Sequence, residues 1–536
     1  MARSTVFVRE ATGLVRHMSL TDSILLTVLA QTFGFGIVYY TIVLFSFPGG
    51  DPLIGLLIGG LGVFPVLFCY SMQSTAMPRA GGDYVFISRA IHPAIAVGSA
   101  VSGLCWSMFY AGVFANWVTT VGISTALEAA GSTLNNPTLL AIAQASSQTS
   151  YTLLVGVIVL VVLGFIIARS NVLAFKLIDV LMVVGILGVV AWIVVLGATD
   201  QSTFIARFNA YAARFVNDTD YYHTLIRTAT AAGYTPGAGF SWYSTIGLVP
   251  FAEFDFIFLT LVSSVGSEVK RPKNNFWLSI SGGLILSIVM SIAAVWALIH
   301  AAGLDFINSI SYVYANGLSY ALPTPPYFTL FAGLVTDNLL VQALMAVGFI
   351  CWVVCGPLSD FVPSSRMFLA LSFDRVLPER LSRVSRYGTP YVGAIVMTVL
   401  GIVMLFIYTA FVTVFGLLSS ILGFIAGEFL LACVAAILFP FRKATKSAFE
   451  SAPATANARV FGFPVMSIMG ILGALFLGWV AFEYAVNPAY GANNLPSLLS
   501  VLGVWLAGFV FYFVAQAYRK RQGLDIALAM SQIPPE

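Results

Sequence analysis

The feature that most constrains this chain is a succession of apolar runs, each near the roughly 20 residues needed to cross a bilayer's hydrocarbon core. Twelve are legible, at about 19–47, 52–76, 94–129, 151–168, 172–198, 244–267, 275–301, 338–370, 390–409, 411–439, 464–486 and 495–518. Of all residues, 59% are hydrophobic and 9% charged, whereas soluble domains carry about 25% charged residues. No water-soluble core could bury this much apolar surface and keep a polar exterior. The expected fold class is therefore an all-α membrane protein of twelve transmembrane helices. The ninth and tenth runs join without a break, and only length and Tyr408-Thr409 divide them.

The 25 Lys and Arg residues fix an orientation. With the N-terminus in the cytoplasm, all of them lie inside except Arg207, Arg214 and Arg227, which share one long outer loop. Shifting the topology by one helix destroys this asymmetry. The reading is a multi-pass protein of the cell membrane with both termini cytoplasmic. It has an inner tail at 1–18, a transmembrane domain at 19–518 and an inner tail at 519–536. The net charge of +3 is then a topological signal and implies no nucleic-acid partner. No cleavable leader is legible, because the first apolar run is too long and lacks a small-x-small site.

Two runs are interrupted at mid-depth, the first and the sixth. The first carries Gly34-Phe35-Gly36 halfway along. The sixth carries Pro250 and then Glu253-Phe254-Asp255-Phe256-Ile257. Irregular backbone is tolerated at membrane depth only where it lines a cavity or is buried in protein. Two broken helices five apart predict an inverted repeat with a solute site between the halves.

Other chemistries leave no trace. There is no phosphate-binding loop ending in Lys-Ser/Thr and no His-Glu-x-x-His pair, and the four His are scattered. Neither an enzyme nor an ATP-driven pump is expected, and no cofactor or metal. The five Cys all fall inside apolar runs, so no disulfide framework is expected. Cys351 and Cys355 share a helix face and read as packing. The loop 199–243 is aromatic, with a short helix expected near Phe204–Phe215. The loop 302–337, with Pro323-Thr324-Pro325-Pro326, is expected to cover the bundle mouth. Segment 440–463 reads as a linker.

Three segments carry a resemblance. The first is Ala76-Met77-Pro78-Arg79-Ala80-Gly81-Gly82-Asp83-Tyr84-Val85, followed by Ser88-Arg89-Ala90. The second is Gly266-Ser267-Glu268-Val269-Lys270-Arg271-Pro272-Lys273. The third is Ser365-Arg366-Met367, then Asp374-Arg375-Val376-Leu377-Pro378 and Thr389-Pro390. In this order, between these helices, the chain resembles the amino acid–polyamine–organocation superfamily of permeases over about 20–520. The resemblance implies a leucine-transporter-type fold, with two inverted five-helix repeats, broken helices one and six, and two extra helices. It implies a secondary active transporter of amino acids or related amines working by alternating access. Its partners would be a small-molecule substrate, the lipid bilayer and a coupling ion.

In such permeases the substrate's α-amino and α-carboxyl groups are held mainly by unwound backbone. Breaking the first helix at Gly34–Gly36 would free N–H groups at the start of its outer half, where an anion is favoured. Carbonyls near Thr32 and Phe33 would accept from an ammonium. Counting back from Lys270 puts the second break at Phe254–Phe258. Phe254 takes an aromatic gate position, and Phe256 and Ile257 offer carbonyls or surface. The chain also departs from its relatives. Phe35 replaces a small residue, Thr260 stands where some carry Glu, and Gly185 stands where some proton-coupled members carry Lys.

Intramembrane carboxylates are costly and usually functional. Asp360 lies where relatives have a substrate-facing side chain; the alternative is a structural carboxylate. Glu428, in mid-helix, is a cavity or proton-coupling candidate, as is Asp360. Glu253 and Asp255 either cap freed N–H groups or take part in function. Asp179 is expected to pair with Lys176, Asp22 to sit in a helix's first turn, and Gly55 and Gly59 to mark close packing. Proton coupling is the favoured reading, with sodium left open. Two alternatives to amino acid transport remain: a permease for another organic cation or nucleobase-like solute, and a non-transporting sensor of the same fold.

Overall fold

The computed structural model describes residues 14, 16–30, 33–385, 387–411 and 422–530, and for residues 33–35 the backbone alone. It is an all-α bundle. Ten described helices are long and apolar enough to cross a membrane, or eleven if Leu422–Leu438 and Lys443–Ser451, bent by 77°, count as one span. Two runs account for the difference from twelve. The first is described as the helices Leu20–Ala30 and Phe33–Val43, each too short alone, with residues 31 and 32 outside the described residues. Part of the region joining Tyr391–Phe411 to Leu422–Leu438 lies outside the described residues.

Local chemistry sets the helix starts. Asp51 accepts from the N–H groups of Leu53 and Ile54 ahead of Pro52–Ala76, with proline at its first position. Ser19 and Asp22 form a reciprocal cap: Ser19 N–H donates to Asp22 Oδ2 at 2.7 Å, and Asp22 N–H donates to Ser19 Oγ at 3.2 Å. Asp22 thus sits in the first turn, as its position suggested. Ser170 divides Thr149–Arg169 from Asn171–Gly197 and caps the second helix through Leu173 N–H.

Small residues set the closest crossings. A Cβ on Gly188 would lie 2.7 Å from Gly348 Cα, and one on Gly508 would lie 2.9 Å from Gly98 Cα. A Cβ on Gly59 would meet that of Ala252 at 2.7 Å, and one on Gly55 that of Leu248 at 3.1 Å. Both glycines therefore mark close packing of Pro52–Ala76 on the sixth run.

At the face holding the chain's N-terminus, the three motif segments are tied together by two buried ion pairs. Arg89 reaches Asp374 with two bonds, at 2.7 and 2.8 Å, and Tyr84 Oη donates to the same carboxylate at 2.9 Å. Arg366 reaches Glu268 at 2.8 and 3.1 Å, and Asn171 Nδ2 donates to Glu268 at 3.1 Å. Backbone pairing adds to this, with Met18 bridging Val269 and Ala80 bridging Val265.

At the opposite face, the helices Gln201–Ala212, Tyr221–Ala231, Leu304–Ala315 and Phe328–Leu334 form a cap. Its core is a ring cluster of Phe204, Phe208, Tyr222, Phe306 and Phe331; the Phe208 and Phe306 centroids are 4.9 Å apart. The expected short helix is the first of these four.

Two expectations are corrected. Segment 440–463 is structured, with the helices Lys443–Ser451 and Ala454–Asn457 and a strand pair of Arg459–Val460 with Phe463–Pro464. Phe449 buries there, an anchor that a basic, small-residue composition concealed. Asp179 makes no ion pair with Lys176 among the described residues. The Asp22 carboxylate lies near enough to act on it.

Candidate functional site

The two interrupted runs behave differently. In the first, the helices Leu20–Ala30 and Phe33–Val43 flank residues 31 and 32, which lie outside the described residues. The described backbone at Gly34 and Gly36 is helical. Thr32 lies outside the described residues. In the sixth run, α-helix persists through Phe256, and Ile257–Ser264 then winds as a 3₁₀ helix. Runs of 3₁₀ longer than a few residues are uncommon and often mark a hinge. The change of winding at Ile257 falls within the expected Phe254–Phe258, and the 3₁₀ segment continues from there to Ser264.

Between these segments lies a cavity in the middle of the bundle. Ala30 lines it from the first run, and Phe254, Phe258 and Thr260 from the sixth. Asp360 comes from Leu339–Phe373, and Glu428 from the π-helical turn Ile425–Phe429. The cavity reaches down to Gly82 and Asp83 at the N-terminal face. No Lys, Arg or His is among its described lining residues, which include three acids.

Phe254 sits in an aromatic wall. Its ring meets Phe258 edge-on at 5.4 Å and Tyr39 at 6.0 Å, and Tyr110 lies 6.1 Å away. Asp360 is 8% exposed and its Oδ2 has no hydrogen-bond partner. It lies between Pro357 and Pro363. Pro363 has no N–H, so the Ser359 carbonyl loses its helical donor. Ser359, Asp360 and Pro363 all line the cavity.

Glu428 Oε2 packs against Gly103 and has no donor. Its carboxyl neighbour is Asp83, near enough for a hydrogen bond whenever one of the two carries a proton. Tyr70 Oη donates to Asp83 Oδ2 at 3.2 Å, and Tyr84 N–H donates to Oδ1 at 2.8 Å. Burial lifts the Asp83 carboxyl above the ordinary aspartate range, although its hydrogen bonds with Glu428, Tyr84 and Tyr70 pull the other way. Gly81 and Gly82 have φ of 92° and 46°, and a Cβ on Gly82 would come 3.2 Å from the Ser264 backbone. Only glycine suits both demands. The pair sets Asp83 at the cavity floor.

Of the other sequence candidates, Phe256 and Ile257 are buried but do not line the cavity. Phe33, Gly34 and Phe35 are helical in backbone. A Cβ on Gly36 would fall on the Asp255 carboxylate. Glu253 and Asp255 are fully buried and accept no hydrogen bond among the described residues, so neither caps a helix there. Asp83, Tyr70 and Tyr110 were missed as site residues; the signal for Asp83 was an acid directly after two glycines.

The model of the amino acid permease family matches residues 23–520. Comparison with curated proteins gave no match. The chain belongs to the amino acid permease family, whose members are membrane transporters and not enzymes. It is accordingly a multi-pass membrane protein with a small-molecule substrate.

Proposed function

We propose that this amino acid permease family member is a secondary active transporter of amino acids or closely related amines, working by alternating access. The proposal includes twelve spans, a five-plus-five inverted repeat with two extra helices, and cytoplasmic termini. The observation that carries it is the cavity between the two interrupted runs, with the partnerless Asp360 carboxylate in its wall. A buried carboxylate without a partner is costly, and a substrate ammonium supplies what it lacks. The aromatic wall around Phe254 offers ring faces to the same cation.

The substrate's carboxylate would dock at the backbone N–H groups of Gly34–Gly36 in the first run. Carbonyls near Thr32 and Phe33 would receive the ammonium, with Phe256 and Ile257 behind the gate. One observation favours a second reading, a permease for amines that carry no carboxylate. The Asp255 side chain already lies beside that backbone at Gly36, so the chain places its own carboxylate near the anion position. Proton coupling is proposed through cavity carboxyls, Asp360 and Glu428 among them, in preference to sodium.

A thermal-shift screen of purified protein with the standard amino acids, their decarboxylated amines and polyamines tests this. Stabilisation by cationic or zwitterionic ligands in the wild type, weakened at least tenfold in Asp360→Asn, is expected. Ligands that stabilise both proteins equally would place the site elsewhere.

A further inference from the structure

The mechanism above leaves Asp83, at the floor of the cavity beside Glu428, unused. Asp83 comes from the helix Gly82–Ala90 and Glu428 from the π-helical turn Ile425–Phe429, far apart in sequence. Their carboxyls meet at the cavity's N-terminal-face end. The two segments also pack against Ile257–Ser264, Leu339–Phe373, Lys443–Ser451 and Val465–Val486. Pro52–Ala76 contributes the Tyr70 hydroxyl, which donates to Asp83. Gly82–Ala90 contributes the Tyr84 N–H. Pro93–Trp117 contributes Gly103, which has no side chain and makes room for Glu428 Oε2. Leu430–Leu438 contributes Cys433, which lies close to Tyr70. No Lys, Arg or His acts on Glu428 or lines the cavity among the described residues.

Two carboxylates with no cation beside them cannot both stay ionised at hydrogen-bonding range. As carboxylates neither can donate, so Glu428 Oε2 stands partnerless. A single proton supplies a donor and halves the buried charge. The cavity that ends at this pair also holds Asp360, buried and partnerless, so the floor belongs to a ligand-binding space. Residue placement suits exchange with the N-terminal face. Asp83 follows the Gly81-Gly82 turn, whose Gly81 N–H bonds the Ser264 carbonyl at 3.1 Å beneath the 3₁₀ segment. Movement of that segment would open or close the pair to water.

We propose that Asp83 and Glu428 form a carboxyl pair that shares one proton, and that this proton is the ion coupled to substrate movement. The inference rests on the transporter reading and adds Asp83 to the coupling machinery. Asp360 is then left to the substrate's cation. The proton is shared as O–H···O⁻ between the two carboxyls. It leaves to water when the floor opens and returns when the floor closes, with no other bond made or broken.

Two measurements on the full chain in lipid nanodiscs and proteoliposomes decide it. In variant-minus-wild-type infrared spectra at neutral pH, Asp83→Asn and Glu428→Gln should each remove one protonated-carboxyl band. In each variant the remaining acid accepts from the new amide and ionises. Loss of the band in only one variant would assign the proton to an isolated carboxyl and overturn the pair. Titration of the wild-type band gives the same answer without any variant: release of one proton from the floor supports sharing, and its absence at neutral pH overturns it. In proteoliposomes with an internal pH dye, wild type should move protons with substrate, whereas Glu428→Gln should move none per substrate exchanged. Unchanged proton movement in that variant would overturn coupling through the pair. A wild type that exchanges no amino acid or amine would instead defeat the transporter reading, while the infrared result would still stand for or against the pair.

Discussion

Substitution of Arg366 tests how the motif segments hold the N-terminal face. Its guanidinium and the Glu268 carboxylate are 0% and 1% exposed, so solvent does not screen the pair. Arg366 bonds Glu268 at 2.8 and 3.1 Å and also donates to Ser365 Oγ at 2.8 Å and the Val362 carbonyl at 3.1 Å. Arg366→Met keeps much of the volume and removes the charge. Glu268 is then left buried with Asn171 as its remaining side-chain donor. Breaking one side of such a pair costs about 3–5 kcal/mol, whereas replacing both partners by apolar residues is often near neutral. On a chain of this length the single variant should lower the apparent Tm by on the order of 5 °C. Arg366→Met with Glu268→Met should recover most of that loss. Circular dichroism melting in detergent, run as a double-mutant cycle, gives the coupling. A single variant that melts with wild type, or a double variant that loses the sum of the singles, would refute the pair's structural role.

Four further outcomes follow from the geometry. Gly188→Val should sharply reduce folded yield on size-exclusion chromatography, because a Cβ there would lie 2.7 Å from Gly348 Cα. Gly81→Ala should lower the Tm measurably, since φ is 92° and its Cβ would come 2.6 Å from that of Ala370. Phe254→Ala should weaken substrate binding by about 1–3 kcal/mol in calorimetry, the worth of an aromatic buried against a ligand; unchanged affinity removes the gate assignment. Gly36→Leu should abolish uptake and also lower thermal stability, because the new side chain meets Asp255; wild-type uptake with a normal melt would move the site from this turn.

The membrane class of this fold was plain in the sequence because a bilayer demands long apolar runs with few charges, and such runs survive any error of register. Local irregularity was less legible. Glycines attracted the first break to Gly34–Gly36, yet the described backbone there is helical. In the sixth run the change from α to 3₁₀ at Ile257 falls inside the expected Phe254–Phe258, but the length of the 3₁₀ segment, to Ser264, has no change of hydropathy and no proline to mark it. Asp360 stood out as an acid within an apolar run, and it does line the cavity. Asp83 did not stand out, since it reads as part of a polar connection, and only tertiary structure sets it beside Glu428. The segment 440–463 failed for the opposite reason, as a polar composition hid the buried Phe449.

The central claim is that the chain moves its substrate through this cavity. Counterflow in proteoliposomes measures that directly. Vesicles loaded with unlabelled substrate found in the thermal-shift screen, then diluted into labelled substrate, should transiently accumulate label in wild type. Asp360→Asn should accumulate far less. Binding without any transient accumulation in wild type would make the chain a sensor of the same fold and contradict the account.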